Sequence, residues 1–267
     1  MAAAPADHRI NYGADPLQFG DLRLPSSEGP HPLAIVIHGG CWLAAFADLK
    51  LMAPLADALT RAGVATWNIE FRSADSAGGG WPNTLLDVAV AVDRARELAA
   101  TYPIDLKRVV IVGHSAGGHL AQWAAARHRL SAESPLFRKN PLPVRGTVGL
   151  AAINDLQRYF QESAGCGKSV PRLMGGLPNE VPHRYREASP AEMLPLGIKQ
   201  VLIVGAQDTI VWPQHNRTFA EAAQRSGDDV QLMVLDNAAH FDVIAPRTAN
   251  WPAIEAAVFA LLDHAKN

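Results

Sequence analysis

Short apolar runs, each bounded by glycine, proline or polar residues, recur along most of the chain. Such runs are typical of strands that are buried on both faces of a sheet. The pattern predicts strands over residues 33–37, 64–69, 109–112, 144–150, 201–204 and 230–235.

Segments with apolar residues at helical spacing separate most of these strands. They fall near residues 49–59, 85–99, 213–225 and 254–262, and another begins at Ala116. Because alternating strands and helices imply right-handed crossovers, we predict an α/β fold with a mainly parallel sheet and helices on both faces. No linker or shift of composition divides residues 1–267, so a single domain is expected.

The alternation stops between residues 155 and 196, where prolines and glycines are frequent. They are Pro171, Pro178, Pro182, Pro190 and Pro195, with glycines at 165, 167, 175 and 176. A long irregular segment inside a compact domain is often a lid or a binding loop, and a solvent-facing insertion is the alternative. We predict an irregular, lid-like insertion over residues 155–196.

Composition and charge exclude several classes of protein. The apolar fraction of 48% and the charged fraction of 19% indicate a globular protein with a large core. The net charge is −2 with acids and bases interspersed, so nucleic acid is not an expected partner. Neither a secretory signal nor a membrane-spanning run is apparent, which predicts a soluble, cytoplasmic protein that does not bind membranes.

Cys41 and Cys166 are the two cysteines of the chain. They could pair, but a large chain without an export signal usually keeps its thiols reduced, and we expect that here. Their spacing does not match a zinc site, and the glycines at 78–80 lack the lysine and helix start of a phosphate loop. Neither a metal nor a cofactor is implied.

The segment 113–117, Gly-His-Ser-Ala-Gly, lies between a predicted strand and a predicted helix. This pattern in this setting is typical of a nucleophile elbow, a sharp turn that presents a serine between residues too small to collide with the turn. A tight structural turn is the alternative. The flanking elements favour Ser115 as a nucleophile.

A serine nucleophile needs a base to accept its proton and a carboxylate to orient that base. Asp208 follows the strand at 201–204 and His240 follows the strand at 230–235, so both would reach the edge where Ser115 lies. Asp208 could instead form a turn, and a lone histidine is more often structural. The order serine, acid, histidine favours a triad of Ser115, Asp208 and His240.

The segment 38–42, His-Gly-Gly-Cys-Trp, follows the first buried strand. It resembles the His-Gly-Gly-x motif whose backbone amides bind the oxyanion in esterases and lipases. The resemblance implies that the amides of Gly40, Cys41 and Ala116 form an oxyanion hole, whereas a simple glycine turn is the alternative. Cys41 is not expected to be a nucleophile, because it lies where this family uses an amide and lacks an elbow.

Together with the segment 113–120, Asp208 and the segment 240–242, this motif resembles the esterase and kynurenine formamidase branch of the α/β-hydrolases, over about residues 32–259. Hormone-sensitive-lipase-like esterases are similar, but usually carry a third glycine and an acidic residue where this chain has Cys41 and His114.

The resemblance implies the α/β-hydrolase fold and a cofactor-free serine hydrolase. The enzyme would cleave short-chain or aromatic acyl esters through an acyl-enzyme. An arylformamidase acting on N-formylkynurenine is the alternative, and a noncatalytic binding protein of this fold is a third reading. A peptidase is disfavoured because the chain has no room for the β-propeller of oligopeptidase relatives.

Aromatic residues beside these motifs are candidates for the substrate pocket. Trp42 ends the glycine motif, Trp212 follows Asp208, and Phe241 follows His240, although each could equally belong to the core. Weaker candidates are Trp81, Tyr159 and Phe160. The expected partner is a small-molecule ester or amide substrate, and the oligomeric state stays open, a homodimer included.

Overall fold

The computed structural model describes residues 3–162 and 165–263. Within these ranges one mixed sheet forms the centre of the chain. Its strands are β1 (His8–Asn11), β2 (Phe19–Arg23), β3 (His31–Ile37), β4 (Ala65–Ile69), β5 (Ile104–His114), β6 (Gly146–Leu150), β7 (Lys199–Gly205) and β8 (Val230–Leu235). Their order across the sheet is β1-β2-β4-β3-β5-β6-β7-β8. The pairs β1–β2 and β2–β4 are antiparallel, and the remaining pairs are parallel.

Helices connect the strands and cover both faces of the sheet. They are α1 (Ala53–Arg61), α2 (Asn83–Asp93), α3 (Ala95–Thr101), α4 (Ala116–Ala126), α5 (Leu156–Glu162), α6 (Val170–Met174), α7 (Pro182–Ala188), α8 (Pro213–Arg225) and α9 (Trp251–Asp263). Because side chains alternate along a strand, β3 directs Ile35 into a core shared with α2, α4 and α8, and Val36 into a core shared with α1 and α9. This arrangement confirms the predicted α/β fold.

The sequence pattern predicted the parallel strands but missed the antiparallel edge. The residues of β1 are mostly exposed, and β2 contains Gly20 and Asp21. Neither strand has the continuous apolar run that marks a strand buried on both faces. The two strands are stabilised by backbone pairing with neighbouring strands, and the spacing of apolar residues along the sequence does not predict that pairing.

The segment 155–196, called the insertion below, is not irregular as predicted. It contains α5, α6 and α7, with one 3-10 turn between α5 and α6 (Gly167–Ser169) and another after α7 (Pro190–Met193). Pro171 and Pro182 lie in the first turns of α6 and α7, where a missing amide hydrogen costs no hydrogen bond. Tyr159 and Tyr185 are buried within the main core. The prolines thus start helices in a segment that packs into the main core.

Cys41 and Cys166 form a disulfide, so the expectation of two reduced thiols is wrong. The two residues are 125 positions apart, and their spacing carries no signal that the fold brings them together. No helix in the described part of the chain combines the length and apolar character needed to cross a membrane.

Candidate active site

Ser115 lies at the turn between β5 and α4. Its φ of 55° and ψ of −120° are unusual for a residue with a side chain. Backbone hydrogen bonds hold this conformation, since the Ser115 amide donates to Leu150 O at 2.8 Å and Ile153 N donates to Ser115 O at 3.2 Å. The chain therefore forms the strained strand-turn-helix that the motif predicted.

The glycines of the turn allow α4 to approach the sheet. A β-carbon on Gly113 would overlap the carbonyl oxygen of Gly117. A β-carbon on Gly117 would overlap the carbonyl oxygens of Ile37 and His38, at the end of β3. Small residues at both positions are thus required by close backbone approach.

Asp208 and His240 meet beyond the ends of β7 and β8. His240 Nδ1 lies 2.7 Å from Asp208 Oδ2, and both residues are buried. Asp208 Oδ1 accepts hydrogen bonds from Ile210 N at 2.8 Å and Val211 N at 2.9 Å. Because a carboxylate only accepts, Nδ1 of His240 carries the proton and Nε2 is left with a lone pair. This is the tautomer that a general base needs.

His114 joins the serine turn to the loop that carries His240. Its Nε2 donates to the backbone carbonyl of His240 at 2.9 Å, and the two imidazole rings lie 4.6 Å apart. The structure thereby brings Ser115 and His240 to the same edge of the sheet. Among the described residues no hydrogen bond joins their side chains, a contact that often tightens only when substrate binds.

Burial keeps His114 neutral. Desolvation, followed by the nearby His240, lowers the pKa of His114 to about 3. A neutral imidazole with its proton on Nε2 leaves Nδ1 as an acceptor, and Nδ1 is buried without a partner in the described structure. His114 is therefore suited to hold the His240 loop and unsuited to serve as the base.

The glycine loop, residues 38–43, lies directly against Ser115. A β-carbon on Gly39 would stand 3.1 Å from Ser115 Cβ. Within residues 3–162 and 165–263, the backbone amides of Gly40, Cys41 and Ala116 donate no hydrogen bond to a protein acceptor. Free amides beside the serine can bind a developing negative charge.

A buried pair braces the first residue of this loop. His38 Nε2 lies 2.9 Å from Glu70 Oε1, and His38 Nδ1 lies 2.8 Å from Gly39 O. Glu70 also accepts from Leu49 N at 3.0 Å and from Phe71 N at 2.9 Å. The carboxylate thus connects the glycine loop to the chain that follows β4.

The three aromatic candidates for the substrate pocket differ in exposure. The side chain of Trp42 is fully buried, and its Nε1 donates to His119 Nδ1 at 3.1 Å, so Trp42 packs in the core. Trp212 is partly exposed where α8 begins. Phe241 is 54% exposed, and its ring lies 5.1 Å from that of His240.

Several residues around the site were missed by the sequence reasoning. Glu70 could have been found from the sequence, because it is an acidic residue directly after a buried strand. That strand, β4, pairs in parallel with β3, which ends just before His38, so Glu70 and His38 lie at the same edge of the sheet. His119 lies one helical turn after Ser115, and it accepts from Trp42 and donates to Ala188 O at 2.9 Å. Burial lowers the pKa of His119 to about 4, which keeps the imidazole neutral for both bonds.

Comparison with known proteins gives the chain a family. The BD-FAE family model matches residues 21–223, a range that includes Ser115 and Asp208 and ends before His240. The chain is 27% identical over 250 residues to esterase LipC of Mycobacterium tuberculosis, covering 88% of this chain and 60% of that protein. It is 22% identical over 242 residues to a probable isoprenylcysteine alpha-carbonyl methylesterase of Oryza sativa subsp. japonica, covering 88% and 58%.

Solved structures agree on the fold. A truncated carbohydrate esterase from gut microbiota superposes with a TM-score of 0.83 at 21% identity, over 98% of each chain. Propionate-bound Est2, an esterase of Thermogutta terrifontis, gives a TM-score of 0.75 at 19% identity, over 96% of this chain and 92% of that one. The chain spans about three fifths of the length of the first two curated relatives above. With three quarters of its residues inside the family model, it belongs to the BD-FAE family.

Proposed function

We propose that this protein is a serine hydrolase that cleaves carboxylic esters of small molecules through an acyl-enzyme. The observation that carries the proposal is the 2.7 Å contact between His240 Nδ1 and Asp208 Oδ2. It leaves Nε2 of His240 as a lone-pair base on the loop that His114 ties to the serine turn. The esterase names of the relatives support the same reaction class.

In the acylation step Ser115 Oγ attacks the ester carbonyl carbon while His240 Nε2 takes the hydroxyl proton. The carbonyl oxygen gains negative charge, which the amides of Gly40, Cys41 and Ala116 stabilise. As the tetrahedral species collapses, the bond to the alcohol oxygen breaks, and His240 gives its proton to that oxygen. Asp208 holds the imidazole and stabilises its positive charge during the step.

Deacylation repeats the sequence with water. A water molecule attacks the carbonyl carbon of the Ser115 ester while His240 takes a proton from that water. The same amides stabilise the negative charge on the carbonyl oxygen of this second tetrahedral species. Collapse then breaks the bond to Ser115 Oγ, to which His240 returns the proton. The products are a carboxylic acid and an alcohol, and the enzyme is regenerated without a cofactor.

Access to the site favours small acyl groups. Ser115 is 2% exposed and His240 is 5% exposed, so an acyl group bound at Ser115 would be largely enclosed by protein. Phe241 and Trp212, both at least partly exposed, would contact the part of the substrate that extends toward solvent. We expect short-chain and aromatic acyl esters to be the preferred substrates.

The proposal is tested with the Ser115→Ala variant and a panel of p-nitrophenyl acetate, butyrate and benzoate, with an acetylated sugar as a fourth ester. We expect the variant to lose at least about a thousandfold in kcat at unchanged folding. Ser226→Ala is the matched control, because Ser226 is exposed at the end of α8. Equal turnover by wild type and Ser115→Ala would reject the assignment.

The other readings of the sequence have less support. The relatives and structures named above are esterases, and nothing among them supports the arylformamidase alternative. The acid-histidine contact and the free amides speak against a noncatalytic binding protein. The cytoplasmic location stays a prediction, and the disulfide argues against it, since such bonds are rare in reducing compartments.

A further inference from the structure

Three consecutive residues of the glycine loop have left-handed backbone angles. The φ values of Gly40, Cys41 and Trp42 are 95°, 55° and 58°. Glycine adopts such angles freely, whereas residues with a β-carbon adopt them rarely. Non-glycine residues stay there only where neighbouring contacts hold them. The loop therefore needs restraints at Cys41 and at Trp42.

Trp42 is restrained by hydrogen bonds and by burial. Its carbonyl oxygen accepts from Ala74 N at 2.7 Å, and its indole donates to His119 Nδ1 at 3.1 Å. His119 in turn donates from Nε2 to Ala188 O at 2.9 Å, at the end of α7 in the insertion. The conformation of Trp42 is thus fixed by packing that involves the insertion.

Cys41 is restrained differently. Within the described ranges its backbone takes part in no hydrogen bond, and its side chain is only partly buried. One restraint is the turn that Leu43 N closes by donating to Gly40 O at 2.8 Å, with Cys41 and Trp42 at its centre. The covalent restraint is the disulfide to Cys166, across a Cα–Cα distance of 4.9 Å. Cutting the disulfide would leave this turn as the main restraint on the left-handed conformation of Cys41.

The other end of the disulfide is anchored beside the catalytic acid. Cys166 is buried, and its amide donates to Tyr159 Oη at 3.2 Å. Tyr159 Oη donates to Ile210 O at 2.9 Å, and Ile210 N is one of the two amides that hold Asp208 Oδ1. The disulfide therefore connects the glycine loop to the loop of the acid.

We propose that the Cys41–Cys166 disulfide positions the oxyanion hole: it holds Cys41 in the left-handed conformation in which its amide faces the reacting carbonyl. The inference rests on the proposed esterase function. When the bond is cut, Cys41 relaxes toward negative φ, its amide turns away, and transition-state stabilisation falls while substrate binding persists. The loss is thus expected in kcat more than in KM.

A small dithiol cuts the Cys41–Cys166 disulfide by reduction. One thiolate of the reductant attacks the partly exposed Cys41 sulfur, and the Cys166 sulfur leaves as a thiolate that takes up a proton. The second thiol of the reductant then displaces Cys41 as a thiol and closes a cyclic disulfide. The protein gains two electrons and two protons, and the dithiol loses them.

The test separates a positioning role from a general cross-link. In Cys41→Gly/Cys166→Ala and Cys41→Ala/Cys166→Ala the disulfide is absent. Glycine adopts the φ of 55° freely, whereas alanine adopts it only at a cost in free energy. Wild type and both variants are assayed for kcat and KM on p-nitrophenyl acetate, with and without dithiothreitol. Hydrogen exchange of a peptide that spans residues 39–43 is measured on the same samples, with thermal unfolding as a check of folding.

We expect reduction to lower wild-type kcat by about tenfold or more, with the loss of about a hundred- to a thousandfold seen on removal of an oxyanion donor as the upper limit. The alanine variant should match reduced wild type, the glycine variant should keep a several-fold higher kcat, and exchange at 39–43 should rise on reduction. Equal kcat in the two variants, exchange unchanged by reduction, or two free thiols in protein isolated without reductant would overturn the inference. If oxidised wild type hydrolyses no ester, the proposed function fails, whereas the exchange result still decides whether the disulfide holds the loop.

Discussion

His114 donates a hydrogen bond from Nε2 to the backbone carbonyl of His240 at 2.9 Å, and both residues are buried. The residue before Ser115 thus holds the loop that carries His240. Since His114 does not meet the substrate in the proposed mechanism, its role is to position His240.

Replacement of His114 tests this positioning role. His114→Gln retains an N–H donor of similar reach, whereas His114→Met fills a similar volume without a donor. We expect the methionine variant to lose about tenfold in kcat with little change in KM, because His240 O would be buried without a partner. The glutamine variant should recover much of the loss. Equal kcat for both variants in the p-nitrophenyl acetate assay would contradict a role for the hydrogen bond.

The orientation of His240 by Asp208 gives a second prediction. In Asp208→Asn the side-chain amide can donate to His240 Nδ1, which would place the imidazole proton on Nε2 and remove the base. We expect kcat to fall by about four orders of magnitude with the fold intact. Asp236→Asn, at an exposed position after β8, is the control and should keep wild-type kcat. A triad is excluded if Asp208→Asn retains more than about a tenth of wild-type kcat in the ester assay.

A third prediction concerns stability and pH. Burial lowers the pKa of His119 from 6.5 to about 4, so between these values the unfolded chain binds a proton that the folded chain does not. The free energy of unfolding therefore falls as pH drops from about 6.5 to about 4, by on the order of 3 kcal/mol for this residue. His114, with a pKa lowered to about 3, acts in the same direction and extends the window.

Urea unfolding at pH 7.0 and pH 5.0 measures this effect. His119→Gln keeps an acceptor for Trp42 and a donor for Ala188 but does not titrate, so its stability should depend less on pH than that of wild type. His183→Gln changes an exposed histidine of α7 and should leave the dependence unchanged. The same pH dependence in wild type and His119→Gln would show that His119 is not the group responsible.

The fourth prediction concerns Glu70, whose two oxygens accept from His38, Leu49 N and Phe71 N. In Glu70→Gln one of these buried donors faces an NH2 group. We expect a loss of about 2–3 kcal/mol in the free energy of unfolding, and a lower kcat because His38 no longer braces the glycine loop. Glu221→Gln, on the exposed side of α8, is the control for chemical denaturation and turnover. A Glu70→Gln protein as stable and active as the control would contradict this account of Glu70.

The parallel half of the fold could be predicted from the sequence because strands buried on both faces read as continuous apolar runs. The edge strands β1 and β2 could not, since their pairing depends on partners distant in the chain. In the insertion, Pro171 and Pro182 suggested irregular chain, although proline in the first turn of a helix is favourable. The short helices there are stabilised by burial of side chains such as Tyr159 rather than by local preference.

The site divides in the same way. The placement of Ser115, Asp208 and His240 could be predicted because each follows a predictable strand, and parallel strands end at one edge. The Cys41–Cys166 disulfide and the burial of Trp42 could not, because both depend on how the insertion packs against the glycine loop. Sequence spacing contains no information about that packing.

Labelling with a fluorophosphonate tests the central claim most directly. The reagent phosphonylates a serine that is activated by a base and an oxyanion hole, and intact-protein mass spectrometry counts the groups added. We predict that wild type gains one phosphonyl group per chain, located on Ser115. Ester hydrolysis should fall to zero in proportion to the fraction of labelled protein. Folded Ser115→Ala should gain no phosphonyl group. Folded wild type that stays unlabelled, or equal labelling of Ser115→Ala, would contradict the account.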